Sequence, residues 1–168
     1  MTVLKRSSIL GVALLLLSGV LVAVHAQSGT LAATLEVLSE GVEVKRVDTA
    51  NWLPVKVEAI VGVGDVIRTT ATGRARITFF VDGTDTELLP DTEYSIIEFS
   101  GDDDTFTLSV EVLVGETTQR LGRILDATSR YDIKTPYMTL TARGTVFAVR
   151  VVEDEYAQML VSEGMVQA

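Results

Sequence analysis

The chain has 168 residues, 23 acidic against 14 basic, with one histidine and no cysteine. Without cysteine there is no disulfide staple, thiolate nucleophile, lipid attachment through sulfur or ordinary structural zinc site. A single histidine argues against triads and imidazole metal centres, and the acidic balance disfavours nucleic acid and anionic lipid as partners, which need a basic patch.

Residues 1–26 differ from the rest. Lys5 and Arg6 precede the apolar run from Ile9 to Val24, and Val24 and Ala26 flank His25 before Gln27. This pattern predicts an export signal cut after Ala26. As a helix the run spans ~24 Å, short of the ~30 Å hydrocarbon core, although an uncleaved anchor held through residues 9–24 stays open because a short helix can thin the bilayer. Only eight residues precede the run, so no cytoplasmic segment is expected. Cleavage removes Lys5, Arg6 and His25, leaving 12 basic against 23 acidic residues, a net charge of −11. A linker over 27–34 and one β domain over 35–168 are expected.

Val, Thr, Ile and aromatic residues then alternate in short runs split by Gly, Asp, Asn or Pro, and no window carries a helical stripe. The periodicity predicts strands at 33–38, 42–47, 55–60, 65–70, 74–81, 84–89, 92–99, 105–114, 117–125, 130–134, 137–143, 145–152 and 156–161, with a last one beginning near Met165. Residues 117–127 also suit a short helix. The fold class is all-β, mainly antiparallel strands and hairpins in a small sandwich or solenoid-like stack, preceded by the apolar signal helix.

Within this series "RARITFFVDGTDTELL" reads as a hairpin turning on Asp82-Gly83. Phe79 is then opposite Thr86 and Ile77 opposite Leu88, with Ala75, Ile77, Phe79, Val81 and Leu88 on the buried face. Asp102, Asp103 and Asp104 lack the alternating spacing of a calcium loop and read as a solvated hairpin tip. Asp65 after Gly64 reads as a turn former. Ser39-Glu40-Gly41 and Ser162-Glu163-Gly164 read as two turns between apolar strands.

In "TLTARGTVFAVRV" the apolar positions are even before Arg143-Gly144 (Met138, Leu140, Ala142) and mostly odd after it (Phe147, Val149, Val151). One irregular residue moves every later side chain to the other face, so Gly144 is expected to mark a bulge at a corner.

The same residues carry a resemblance. "YDIKTPYMTLTARGTVFAVRV" resembles the signature of the FecR-like domain, with Thr-Pro, a strand and Arg-Gly-Thr-x-Phe. Upstream, Trp52 and Pro54, Gly64-Asp65-x-Ile67-x-Thr69, Asp82-Gly83 and Pro90-x-Thr92 look like the first half of that domain, so the resemblance covers nearly all of 35–168. It implies an extracytoplasmic, all-β domain that contacts other proteins. The best-known relatives receive a signal from an outer-membrane iron-siderophore receptor and pass it to a cytoplasmic segment controlling a sigma factor. The expected lack of that segment makes sigma-factor control by this chain alone doubtful.

Arg143, Gly144, Thr145, Phe147 and Trp52 are the candidate partner-contact or motif residues. For Arg143 the plainer role is tying the bulge to a carboxylate or carbonyl, and for Trp52 it is core or core edge. No catalytic residue, cofactor or metal is nominated. The expected function is a non-enzymatic, exported domain (periplasmic, secreted or cell-surface) that binds an envelope or surface protein, in signal reception or scaffolding. The alternatives are a surface or matrix module of adhesin type and a glycosidase using carboxylates alone. An open last strand is expected to leave an edge for self-association.

Overall fold

The computed structural model describes residues 29–167 apart from 82, 103, 123, 124 and 126. The expected export signal and its helix therefore lie outside the described residues. Among those that are described there is no helix, and twelve strands form one continuous sheet.

The first eight strands are β1 (Leu31–Ser39), β2 (Val42–Lys45), β3 (Trp52–Val55), β4 (Glu58–Gly62), β5 (Val66–Thr69), β6 (Arg74–Phe79), β7 (Asp85–Leu88) and β8 (Glu93–Gly101). Four follow: β9 (Phe106–Arg120), β10 (Arg130–Lys134), β11 (Thr139–Val152) and β12 (Tyr156–Gln167). The main path runs β3-β2-β5-β8-β9-β7-β6-β1-β4, with β10, β11 and β12 joined through β9. All pairs are antiparallel except β9 with β10. The all-β, mainly antiparallel expectation holds, but the strands form a single, nearly closed barrel-like sheet instead of two packed sheets or stacked rungs.

Two long strands cause that closure by changing neighbours along their length. The first half of β9 lies between β8 and β10, and its second half between β7 and β11. The change falls at Gly115, whose φ is +95°. Any Cβ there would lie 2.5 Å from Thr92 Cα and 2.6 Å from the Asp91 carbonyl. Thr92 Oγ1 spans the irregularity, accepting from Glu116 N–H at 3.0 Å and donating to its carbonyl at 3.1 Å. The expected break at 115–116, and the first part of the helix considered for 117–127, are thus replaced by one strand through Gly115 up to Arg120, while residues 123, 124 and 126 lie outside the described residues.

β11 behaves as its alternation predicts. Leu140 and Ala142 are buried before the glycine, and Phe147, Val149 and Val151 after it. One extra residue on β11 between Ala142 and Thr145 is matched by one on β12 between Val161 and Glu163, which restores the register. Gly144, at φ +133°, sits in the first bulge. The expected strands 137–143 and 145–152 are therefore one bulged strand. Ser162-Glu163-Gly164 is not a turn but the middle of β12, whereas Ser39-Glu40-Gly41 does link β1 to β2, with Gly41 at φ +104°.

Other boundaries differ for local reasons. The expected strand 55–60 is split by a turn at Lys56-Val57, because alternation continues through a turn that has no glycine or proline. β1 starts inside the expected 27–34 linker, where Ala32 and Ala33 are fully buried but carry little strand preference. Ile77 pairs with Thr86 and Ala75 with Leu88, two residues from the expected register. The turn is longer than two residues, since Phe79 N–H donates to the Thr84 carbonyl at 2.9 Å, and Asp82 lies outside the described residues. A two-residue slip preserves the face, so Ala75, Ile77, Phe79, Val81 and Leu88 are all buried as expected. At the β8–β9 tip, Asp102 Oδ1 accepts the N–H groups of Asp104 and Thr105, each at 3.0 Å. Those bonds hold the Asp102 carboxyl below its ordinary range. Asp103 lies outside the described residues.

The interior is not wholly apolar. Thr86, Thr117 and Gln119 are fully buried beside Tyr94 and Tyr131. Burial pushes both phenols well above their ordinary range. For an acid whose folded pKa is raised, the unfolded chain holds fewer protons above that range, so stability falls as pH rises. The melting temperature is expected to be insensitive to these tyrosines below about pH 10 and to drop steeply above it. Tyr131→Phe should flatten that drop in a pH series of thermal melts.

Candidate partner-binding surface

The residues singled out from sequence do not form one site. Trp52 is on β3 at one end of the strand path, whereas Arg143, Gly144, Thr145 and Phe147 are on β11 beyond β9. Phe147 is buried in the core, which makes it a packing residue of the motif. Gly144 is buried within the bulge, and Thr145 pairs with Gly164, its side chain lying outside the described residues. Arg143 stands on the exposed side of the bulge, and its carbonyl accepts Leu125 N–H at 2.9 Å, docking the segment that inserts Leu125 into the core.

Trp52 is neither core nor a bare platform. It pairs with Lys45 and lies half-buried on the outer face, with the Arg68 guanidinium 4.0 Å and the Lys45 ammonium 4.9 Å from its ring centroid. Arg68 Nε also donates to Glu43 Oε2 at 2.6 Å. The ring is thus covered by cations that belong to its own sheet. Beside it, Glu40, Glu43, Pro54, Val55, Lys56 and Thr70 line a surface groove of about 480 Å³.

Among the described residues the two most enclosed carboxylates are both tied up. Asp65 accepts from Arg46 Nη1 at 2.8 Å and from the N–H groups of Val47 and Gly62 at 3.0 Å each. It is a turn former, as expected, and also a clamp between the β2–β3 and β4–β5 connections. Asp132 accepts from Arg130 Nε at 2.5 Å and Thr141 Oγ1 at 2.8 Å. Among the described residues no three His, Cys, Asp or Glu side chains gather to hold a metal.

What differs most along the surface is the state of the sheet edges. β3 has four residues and carries Pro54, which suits an edge because it lacks a donor. On β4 the Ile60 carbonyl accepts Arg46 Nη1 at 2.7 Å, and Gly62 N–H is held by Asp65, so two of its backbone groups are covered from within. β12 pairs with β11 alone over its twelve residues.

Residues 65–167, more than half of the chain, match the family described as FecR protein. The chain belongs to the FecR family. No curated protein and no solved structure matches it. The FecR match begins at Asp65 and covers β5 to β12, including the Arg143-Gly144-Thr145 bulge, the clamp aspartate and the whole of β12. Trp52 and Pro54 precede it, so the cation-covered tryptophan falls outside the matched FecR span.

Sequence reasoning nominated single residues and an open last edge, but missed that the β3 edge is short and interrupted by proline and that the β4 edge is partly covered. Pro54 was visible as a signal; the Arg46–Asp65 cover on β4 was not, because its members are 19 residues apart.

Proposed function

We propose that this chain is an exported, non-enzymatic FecR-domain protein that binds another protein of the cell envelope, in signal reception or scaffolding. The observation that carries this reading is the family membership over β5–β12, because FecR domains have signalling and regulatory roles. The enclosed carboxylates support it further. Asp65 and Asp132 are each neutralised by an arginine and additional donors, an arrangement suited to holding turns and strands and not to trading protons with a sugar. The basic-apolar-small pattern of residues 1–26 supports an extracytoplasmic location.

In-cell crosslinking of the tagged chain, followed by mass spectrometry, tests the proposal. One dominant envelope protein is the expected product. Recovery only of the chain itself or of cell-wall polymer would transfer the role to a surface or matrix module. N-terminal sequencing of the exported form is expected to begin at Gln27.

A further inference from the structure

We propose that β12 is a strand-addition site, and that its occupant is an extended segment of a partner protein, apolar or β-branched in its middle and basic at both ends. The proposal rests on the envelope-partner reading above and deepens it by giving the partner's chemistry.

Exposed edges are ordinarily made short, interrupted by proline, charged with lysine or covered. This fold does so at β3 and β4. β12 is treated differently. From Tyr156 to Val161 it carries no charge and no proline, Leu160 is 72% exposed, and Tyr156 and Val161 are also exposed. Ala157 and Met159, which alternate with Tyr156 and Leu160, and Val166 beyond the bulge pack against the core, which fixes the strand in place with an edge that no described residue pairs. Its bulge near Ser162 limits the straight, pairable run to about six residues, enough for one short strand. Inboard of that run, Glu116, Ala148, Arg150, Gln158, Met159 and Leu160 line a groove of about 300 Å³ over β11, so the exposed Leu160 stands between this groove and the edge.

The charges around the run select the occupant. Glu153, Asp154 and Glu155 form the exposed turn before it, and Glu163 stands exposed after it. A second copy pairing antiparallel on the same run would set Tyr156 against Val161 and Glu163 against Asp154. Sliding by one residue either way sets Glu163 against Glu153 or Glu155. Every such register brings acid to acid, which disfavours pairing. A partner strand with basic ends meets the same acids as counter-ions.

The test uses the full chain and synthetic peptides, each with three alternating Thr-Val units flanked by two lysines or two glutamates at either end. Fluorescence anisotropy at low salt should show the lysine-ended peptide binding about tenfold more tightly, and the difference should collapse near 1 M salt, where screening acts within ~3 Å. Amide exchange should gain protection within 156–161. Leu160→Lys, at a solvent-facing position that leaves the fold intact, should weaken that peptide at least about fivefold. Equal binding of the two peptides, protection gained elsewhere, or a dimeric chain whose 156–161 amides are protected without peptide would each overturn the proposal. A crosslinked envelope partner joined far from β12 would overturn the strand-addition site while leaving partner binding intact. Absence of any envelope partner would instead overturn the reading beneath it.

Discussion

Replacing Asp65 with alanine is expected to lower the unfolding free energy by about 3 kcal/mol, read as a shift in the urea midpoint at unchanged slope. The side chain accepts three hydrogen bonds, from Arg46 and from the N–H groups of Val47 and Gly62. Arg46 is partly exposed, with 37% of its side-chain surface accessible, so the ion pair itself is screened and contributes little. The cost comes from the two backbone donors. Gly62 is buried and loses its partner outright, and Val47 is half-buried. Each orphaned buried donor costs about 1–3 kcal/mol. Asp65→Asn should cost less, about 1–2 kcal/mol, because its amide oxygen still accepts one of these bonds while its NH₂ faces the other donors. Glu43→Gln is the control. It removes the charge of a still shorter pair with Arg68, but on the solvated outer face, and should change stability by less than about 1 kcal/mol. Loss of Asp65 also frees the edge of β4, so the alanine variant should aggregate on heating more readily than its stability alone predicts.

How far the sequence could lead depended on the kind of signal. The Gly144 bulge was legible because a parity switch and a glycine coincide there. Gly115 was misleading, because the same residue type that ends a strand also lets one pass close to Thr92. The buried faces of β6 and β7 were recovered despite a register error, since a slip of two residues changes partners but not sides. The polar interior was not recoverable. Thr86 was read opposite the buried Phe79, but hydrophobic alternation gives no reason to gather Thr86, Thr117 and Gln119 in the interior. The candidate surface was legible only in part. An open last edge follows from the chain order of strands, but its contrast with the partly covered β4 edge depends on Arg46 and Asp65 meeting through the fold.

That polar interior carries the second large effect. Gln119→Leu is expected to cost about 3 kcal/mol, although leucine is nearly isosteric. Gln119 Oε1 accepts from Tyr131 Oη at 2.5 Å and from Thr86 Oγ1, and its Nε2 donates to Thr117 Oγ1 at 2.9 Å. One amide thus satisfies hydroxyls on β7, β9 and β10, from the half of β9 that lies beyond its change of neighbours. Leucine leaves those hydroxyls buried, with the 3.3 Å contact between Thr86 and Tyr131 and the nearby Tyr94 hydroxyl as poorer partners. If orphaned hydroxyls are the cause, removing them should return much of the loss. Thr86→Val with Tyr131→Phe, added to Gln119→Leu, should be more stable than the single variant, a non-additivity of about 1–3 kcal/mol in a mutant cycle. Tyr94→Phe provides the opposite sign. The buried Tyr94 hydroxyl lies beside Thr86 and Tyr131 but makes no well-formed hydrogen bond among the described residues, so its removal should be neutral or stabilising by about 1 kcal/mol. A Gln119→Leu cost unaffected by the two added substitutions would mean that shape, and not hydrogen bonding, sets the junction of β7, β9 and β10. That junction matters beyond stability, because β9 and β10 carry β11, and β11 is the only strand holding β12 in place among the described residues.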